Sequence, residues 1–233
     1  MDDFAALLPT APQALAFALM VLVLNATPGV DLLLTASRTL QAGPRAGVAA
    51  ALGITLGCGV HAALAAFGLA ALLALHAQAL RAVQWAGALY LLWLGAGLLH
   101  AAWRDRGGAG LNAGGDPVPA RPWTSDLRTG LVTNLLNPKV VFFFLSFLPQ
   151  FVPAGAAHPT LAMALLGAWF LVQSLVFLLA FVGLLALAAR CAPGAGRAAP
   201  RLRRGLQALG GLLFMGLAVR LASGDPMPSG GVR

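Results

Sequence analysis

The sequence predicts an all-α, polytopic membrane protein with six transmembrane helices in two inverted three-helix halves, with broken first and fourth helices. Hydrophobic residues make up 59% of the 233 residues and charged residues only 9%, whereas about a quarter of an ordinary soluble domain is charged. Six stretches reach the roughly 20 mostly apolar residues that a spanning helix needs: 13–37, 46–74, 80–102, 128–152, 160–188 and 205–222. The first and the fourth of them are each interrupted by polar residues and a proline.

A stretch rich in glycine and proline, residues 104–126, divides the chain near its middle. We expect a flexible cytoplasmic linker here, between a first membrane half (1–103) and a second (127–222), with a short tail at 223–233. Three spans in each half give the halves opposite orientations, so an internal repeat would be inverted. Apart from the two breaks, the halves share little sequence.

Arginine is distributed unevenly between the predicted loops. Eleven arginines follow spans one, three and five, whereas three lie on the opposite side. Because cytoplasmic loops are enriched in Lys and Arg, this asymmetry predicts that both termini lie outside and the three basic loops in the cytoplasm. The net charge of +8 is therefore topogenic, and we expect no nucleic-acid partner. The acidic start, Asp2 and Asp3, argues against a cleaved signal peptide, which would begin with basic residues.

The first break runs from Asn25 to Asp31 and includes Gly29. Pro28 removes a backbone donor and must end or kink the helix. Thr27 before it is typical of an N-cap followed by a first-turn proline, so we expect a new helix to start here. A helix that stops inside a bilayer exposes backbone groups, which is tolerated only where protein or a cavity surrounds them.

Asp31 begins a polar stripe along the restarted helix. Thr27, Asp31, Thr35 and Arg38 recur every three or four residues, and a polar stripe in lipid must face the interior of the bundle. The carboxylate of Asp31 has two interpretations: stabilisation by a helix N-terminus, or a functional role, because charged side chains within membranes are costly.

The second break runs from Asn134 to Lys139. Asn137 is again a capping residue before a proline, Pro138. Lys139 lies at a helix N-terminus, where a positive charge is unfavourable and requires a partner. Three explanations remain open: Lys139 reaches the cytoplasmic surface, it pairs with Asp31, or one of the two binds a zwitterion.

His61 follows Gly53 and Gly57 at intervals of four residues in span two. The glycines allow a neighbouring helix to approach closely, and the histidine is either an interhelical hydrogen-bonding group or a proton relay. The asparagines at the breaks either bond across them or contact a substrate. The candidate substrate and coupling residues are Asn25, Thr27, Pro28, Gly29, Asp31, Thr35, His61, Asn134, Asn137, Pro138 and Lys139.

Motifs of enzymatic chemistry are missing from the sequence. It contains no glutamate, no zinc-protease helix motif, no nucleophile elbow and no phosphate-binding loop. The two cysteines lack the spacing of a metal site. We therefore expect no catalytic residues, no cofactor and no metal, and the inward-facing polar residues favour passage over reaction.

On these residues the chain resembles the LysE/RhtB family of bacterial amino-acid exporters over nearly its whole length. The shared motifs are ATPGVD at 26–31, RAG at 45–47, GALYLLWLG at 87–95, NLLNPK at 134–139 and FLPQF at 147–151. The family usually has a second proline where this chain has Val30. The resemblance implies secondary active export of an amino acid or derivative across a bacterial cytoplasmic (inner) membrane, coupled to protons. The implied partners are a small zwitterion, protons and the lipid bilayer, and a homo-oligomer remains open.

Two alternatives to amino-acid export remain. One is export of a cation or another small solute, and the other is a non-transporting scaffold or accessory subunit. Broken helices with inward polar stripes favour transport, since a scaffold needs neither. For a zwitterion, we expect the N-termini of the two half-helices to receive the carboxylate. Asp31 would bind the ammonium or, when the site is empty, a coupling proton.

Overall fold

The computed structural model describes residues 9–69, 121–152 and 156–191, most positions from 85 to 103, and six positions between 208 and 219. All secondary structure in these ranges is helical, which confirms the all-α prediction. Two helices in the described ranges are long and apolar enough to cross a membrane. If each of the two bent helix pairs is counted as one further span, the described ranges contain up to four spans. The six-span count, the inverted repeat and most of the linker involve residues outside the described ranges and stay predictions.

The first span is a bent pair of helices. Helix α1 (Ala11–Ala26) and helix α2 (Val30–Ala42) meet at 56° across the break that contains Pro28. The predicted break of the first helix is thereby confirmed. Helix α2 ends at Gly43, whose φ of 88° is in the left-handed region that favours glycine.

Helix α3 (Pro44–Leu64) follows at once and continues as a π-helical turn, Ala65–Leu69. The next helix in the described ranges, α4 (Ala88–Gly97), lies within the predicted third span. Helix α3 packs closely against helix α5 (Trp123–Leu135). A Cβ atom at Gly53 would overlap the carbonyl of Leu127, and one at Gly130 would overlap the carbonyl of Ala50. The predicted close helix approach at Gly53 is therefore confirmed.

The second bent span starts with α5, which begins inside the stretch that the sequence assigned to the linker. After the break it continues as α6 (Pro138–Phe142), a π-helical turn (Phe143–Phe147) and a 3₁₀ turn (Leu148–Phe151). The two parts meet at 53°, which confirms the predicted break of this helix. Helix α7 (Pro159–Cys191) is unbroken over 33 residues. It packs against α1, α2 and α3, and leaves apolar side chains such as Val172 and Leu184 exposed, as a lipid-facing helix does.

The two bent spans run antiparallel. Arg38 near the end of α2 contacts Asp126 near the start of α5. Phe17 near the start of α1 contacts Phe151 at the end of the second bent span, with ring centroids 5.1 Å apart. Corresponding helices of an inverted repeat have this relation. Buried aromatic rings fill the space between the breaks and the Phe151 end; we call them the aromatic layer: Phe17, Phe143, Phe144, Phe147, Phe151 and Phe170.

Candidate functional site

The two breaks meet, and Asp31 lies where they join. Asn134 Nδ2 and Asn137 Nδ2 both donate to Asp31 Oδ2, at 2.8 and 2.9 Å. Asp31 is in the first turn of α2, and the two asparagines flank the break between α5 and α6. The carboxylate is thus held by side chains more than 100 residues away in the sequence.

Lys139 is buried at the same junction rather than extended to the surface. Its Nζ donates to the carbonyl oxygens of Leu24 at 2.9 Å and Thr27 at 3.3 Å. These carbonyls lie at the C-terminal end of α1, where unpaired carbonyls carry a partial negative charge. The interpretation that Lys139 reaches the cytoplasmic surface is therefore wrong, because the broken end of α1 supplies the partner of the ammonium group.

Asp31 and Lys139 do not pair directly. Among the described residues, the ion pair within 4 Å joins two other side chains, Arg38 and Asp126. Asn137 instead bridges the two groups. Its Nδ2 donates to Asp31, and its Oδ1 accepts from the Lys139 backbone N–H at 3.1 Å. The second open explanation, a direct Asp31–Lys139 pair, is therefore wrong, and a bridging amide takes its place.

The caps at the two breaks differ. Asn137 caps α6 with Pro138 in its first turn, as predicted. The predicted cap at Thr27 is wrong, because Thr27 Oγ1 donates backward to Val23 O at 2.6 Å, and α2 begins after Gly29 without a side-chain cap. A threonine hydroxyl that donates to the preceding turn is not available to accept from the backbone N–H groups of the helix that follows. Gly29 also leaves room for the ammonium, since a Cβ there would lie 3.1 Å from Lys139 Nζ.

Helix α3 supports the junction from one side. His61 Nε2 lies 3.3 Å from the carbonyl oxygen of Asn134, and its ring stacks on Phe144. This is the interhelical hydrogen bond that the sequence offered as one interpretation of the histidine. A Cβ at Gly57 would lie 2.6 Å from Asn134 Oδ1, so the glycine makes room for the asparagine that holds Asp31.

The polar stripe of the first span faces inward. Thr27, Thr35 and Arg38 are all buried, as the spacing predicted. Thr35 Oγ1 donates to the Asp31 carbonyl at 2.9 Å. Asn25 Nδ2 donates to Ser174 Oγ of α7 at 2.9 Å. Each candidate residue with a polar side chain therefore takes part in a hydrogen bond at or near the junction.

A cavity of about 20 Å³, enough for roughly one water molecule, adjoins Asp31 and Lys139. Two polar atoms at the junction are buried without a partner: Asp31 Oδ1 and Asn134 Oδ1. The sequence candidates omitted several side chains that line the cavity, among them Cys58 and Ser174. Ser174 is a polar residue within a long apolar helix, and that signal could have identified it.

The family model of the LysE type translocator matches residues 22–225, a range that includes both breaks. This chain belongs to the LysE-type translocator family. The match confirms the family membership that the motifs indicated. LysE-type translocators are transporters rather than enzymes.

Three relatives align with 84% of this chain and 88% of their own length. An uncharacterized membrane protein of Pseudomonas aeruginosa is 35% identical over 199 residues. Two relatives are named leucine efflux protein: one from an Enterobacter species, 33% identical, and one from Klebsiella pneumoniae, 30% identical, each over 196 residues. No solved structure matches the chain. Together with its apolar helices, the family identifies this LysE-type translocator as a multi-pass bacterial membrane protein.

Proposed function

We propose that the protein is a secondary active exporter of a small neutral amino acid, of which leucine is the first to test. It acts in the bacterial inner membrane with six spans and both termini outside. The observation that carries this proposal is a buried carboxylate oxygen without a partner, Asp31 Oδ1. It lies at the junction of two broken helices, the place where secondary transporters bind their substrates.

The ammonium group of the substrate binds Asp31. Oδ2 is occupied by two asparagine amides, which fix the orientation of the carboxylate, whereas Oδ1 is left for a donor. A buried carboxylate oxygen without a donor is unfavourable. An ammonium group supplies both the missing hydrogen bond and the opposite charge.

The carboxylate of the substrate binds near Lys139. An ammonium has three donors, and Lys139 Nζ makes two hydrogen bonds to carbonyls, which leaves one. The first turn of α2 adds backbone N–H groups, because Gly29 caps that helix without a side-chain bond. A substrate with both charges satisfies Asp31 and Lys139 together, whereas a simple cation satisfies only Asp31.

The cavity favours an apolar side chain on the substrate. Six of its lining residues are aliphatic or aromatic: Leu24, Leu32, Ile54, Val140, Phe170 and Leu178. Its volume of about 20 Å³ is far below the roughly 300–1,000 Å³ of a small-molecule site. This structure therefore represents a closed state, and substrate binding requires the bent helices to separate.

Proton coupling follows if Asp31 serves two ligands in turn. A proton neutralises the buried carboxylate when the site is empty, and the substrate ammonium replaces it when the site fills. Proton and substrate then exclude each other, which is the condition for exchange. His61 is the alternative proton carrier, because its Nε2 contacts the Asn134 carbonyl at this junction.

Export of a labelled amino-acid panel from loaded cells, with and without a proton uncoupler, tests this function. We expect leucine or a similar neutral amino acid to leave the cells faster with the protein than without it, and the uncoupler to abolish the difference. Asp31→Asn removes the charge and keeps the shape, so export stops while the protein remains folded in the membrane. Arg190→Gln, at an exposed position in the last turn of α7, is the control and exports normally.

Two results would contradict the proposal. Normal export by Asp31→Asn would leave Asp31 as a capping carboxylate and make His61 the coupling candidate. If no amino acid is exported, the alternatives return: export of a cation or another solute, which a second labelled panel detects, or a scaffold, which transports nothing.

A further inference from the structure

Arg38 and Asp126 form a buried ion pair between the two bent spans, away from the central junction. Arg38 Nε lies 2.7 Å from Asp126 Oδ1, and the two side chains are 8% and 4% exposed. The contact is short but lacks the alignment of a hydrogen bond, and Arg38 Nη2 has no hydrogen-bond partner either. Buried charges are normally held by several aligned hydrogen bonds, so this pair is incompletely satisfied.

A surface groove is lined in part by Asp126, the acidic member of the pair, and Arg38 contacts Asp126 without itself lining the groove. Its volume is about 330 Å³, and its lining includes Arg45, Arg121 and Trp123 together with Asp126. The groove lies where α3 and α5 begin, so two helix N-termini add to the positive potential of the arginines. The arginine distribution assigns this side to the cytoplasm. The groove therefore suits a small molecule with a carboxylate.

The inward polar stripe connects the groove to the central cavity. Arg38 and Asp31 are seven residues apart on α2, which is about 10 Å along a helix. Thr35 lies between them and is fully buried. On the other side of the junction, most of the large buried side chains in the described ranges belong to the aromatic layer. The polar side chains thus mark one path from the surface to Asp31, and the ion pair closes it.

We propose that the groove is the cytoplasmic access path for the substrate and that the Arg38–Asp126 pair is its gate. The proposal rests on the function above, because it requires a zwitterionic substrate. Opening the gate separates two buried charges, which is unfavourable unless each finds a new partner. An amino acid brings both partners, since its carboxylate can bind Arg38 while its ammonium binds Asp126. The gate therefore opens for zwitterions and stays closed to apolar solutes.

Accessibility of Cys58 tests the gate without relying on transport. The chain has two cysteines, so Cys191→Ala leaves Cys58, which lines the central cavity, as the single thiol. A membrane-impermeant methanethiosulfonate is applied to inverted vesicles, which expose the cytoplasmic face, and to right-side-out vesicles. We expect slow labelling of the parent protein. Arg38→Gln or Asp126→Asn raises the rate at least about tenfold from the cytoplasmic face only, because the closed population falls. Arg190→Gln, the matched charge removal, leaves the rate unchanged.

A paired variant separates a gate from a merely structural contact. Arg38→Met combined with Asp126→Leu replaces the ion pair by an apolar contact, a change that folded proteins often tolerate. If the pair is a gate, this variant reaches the membrane, keeps Cys58 protected and exports nothing. If the pair is only structural, it exports at the parent rate, and the proposal is overturned. The paired variant also decides the question if the single variants fail to reach the membrane.

The two proposals fail in distinguishable ways. If the parent exports an amino acid but Arg38→Gln and Asp126→Asn leave Cys58 labelling unchanged, the gate is wrong and the exporter stands. If the variants instead label Cys58 faster from the opposite face, the gate is likewise wrong. If the parent exports no amino acid while both variants open Cys58 to the cytoplasmic face, the ion pair does close the path, but its opening by a zwitterion and the amino-acid exporter are both wrong.

Discussion

At the first break the groups that face the other span are acceptors, and at the second break they are donors. The first break presents the Leu24 and Thr27 carbonyls and the Asp31 carboxylate. The second presents the two asparagine amides and the Lys139 ammonium. All four hydrogen bonds between the breaks run from the second to the first. Each break interrupts the first predicted span of its half, but the chemistry of the two breaks is complementary.

This complementarity explains why two breaks can exist together inside an apolar bundle. A broken helix leaves carbonyls unpaired at one end and N–H groups unpaired at the other. Lys139 satisfies the carbonyl end of α1, and Asn137 caps the N-terminal end of α6. These bonds leave Asp31 Oδ1 and one donor of Lys139 Nζ unpaired. The junction is therefore where the two spans are joined by polar bonds and also where polar groups remain available to a ligand.

Exchanging one donor and one acceptor between the breaks tests their complementarity. Of the changes considered, we expect it to have the largest effect on the free energy of unfolding. Asn137→Asp places a second carboxylate against Asp31 in a buried position, and we expect the free energy of unfolding to fall by about 3 kcal/mol. Asp31→Asn combined with Asn137→Asp restores one donor and one acceptor. It should recover stability with a coupling free energy of about 1–3 kcal/mol. The midpoint of thermal unfolding in detergent is measured for the single variants and the double variant. If the shifts of the two single variants simply add in the double variant, the two breaks are not complementary in the way described.

The sequence predicted the features of the two breaks that depend on neighbouring residues. Proline located both bends, helical spacing oriented the stripe from Thr27 to Arg38, and the cap at Asn137 followed from its position before Pro138. The cap at Thr27 was mistaken because a threonine before a proline fits either the end of one helix or the start of another. Only the hydrogen bond to Val23 distinguishes the two.

Partners across the bundle could not be predicted from spacing. Lys139 bonds to a carbonyl 115 residues away, and no periodicity within either span encodes that contact. Asp126 was overlooked for a related reason. It belongs to a stretch whose glycine and proline content indicates a linker, but α5 already begins at Trp123 and buries Asp126 beside Arg38. Composition averaged over 104–126 concealed one charged residue that the fold places inside.

Two glycines of α3 test how closely the second break depends on its neighbour. Gly57→Ala places a methyl group 2.6 Å from Asn134 Oδ1, whereas Gly59→Ala places one 3.4 Å from Leu171 Cδ2, an ordinary contact. We expect Gly57→Ala to lower the free energy of unfolding by about 1–3 kcal/mol and to weaken export, because Asn134 can no longer hold Asp31. Gly59→Ala should be neutral or stabilise the helix by up to about 1 kcal/mol. Equal unfolding midpoints for the two variants would show that Asn134 is free to move.

We expect the smallest effect on stability and export at Thr27. Its hydroxyl bonds to its own helix, whereas Asn137 caps the helix after the second break. Thr27→Val keeps the shape and removes the hydroxyl that bonds to Val23 O, but the Thr27 backbone N–H also donates to that oxygen at 2.9 Å. No buried acceptor loses its last partner, so we expect the free energy of unfolding to change by less than about 1 kcal/mol. The hydroxyl already donates to its own helix, and it has no second proton for a substrate. In the amino-acid export assay, the concentration dependence of the variant should therefore match that of the parent protein. A clear rise in KM with an unchanged unfolding midpoint would make Thr27 a substrate contact after all.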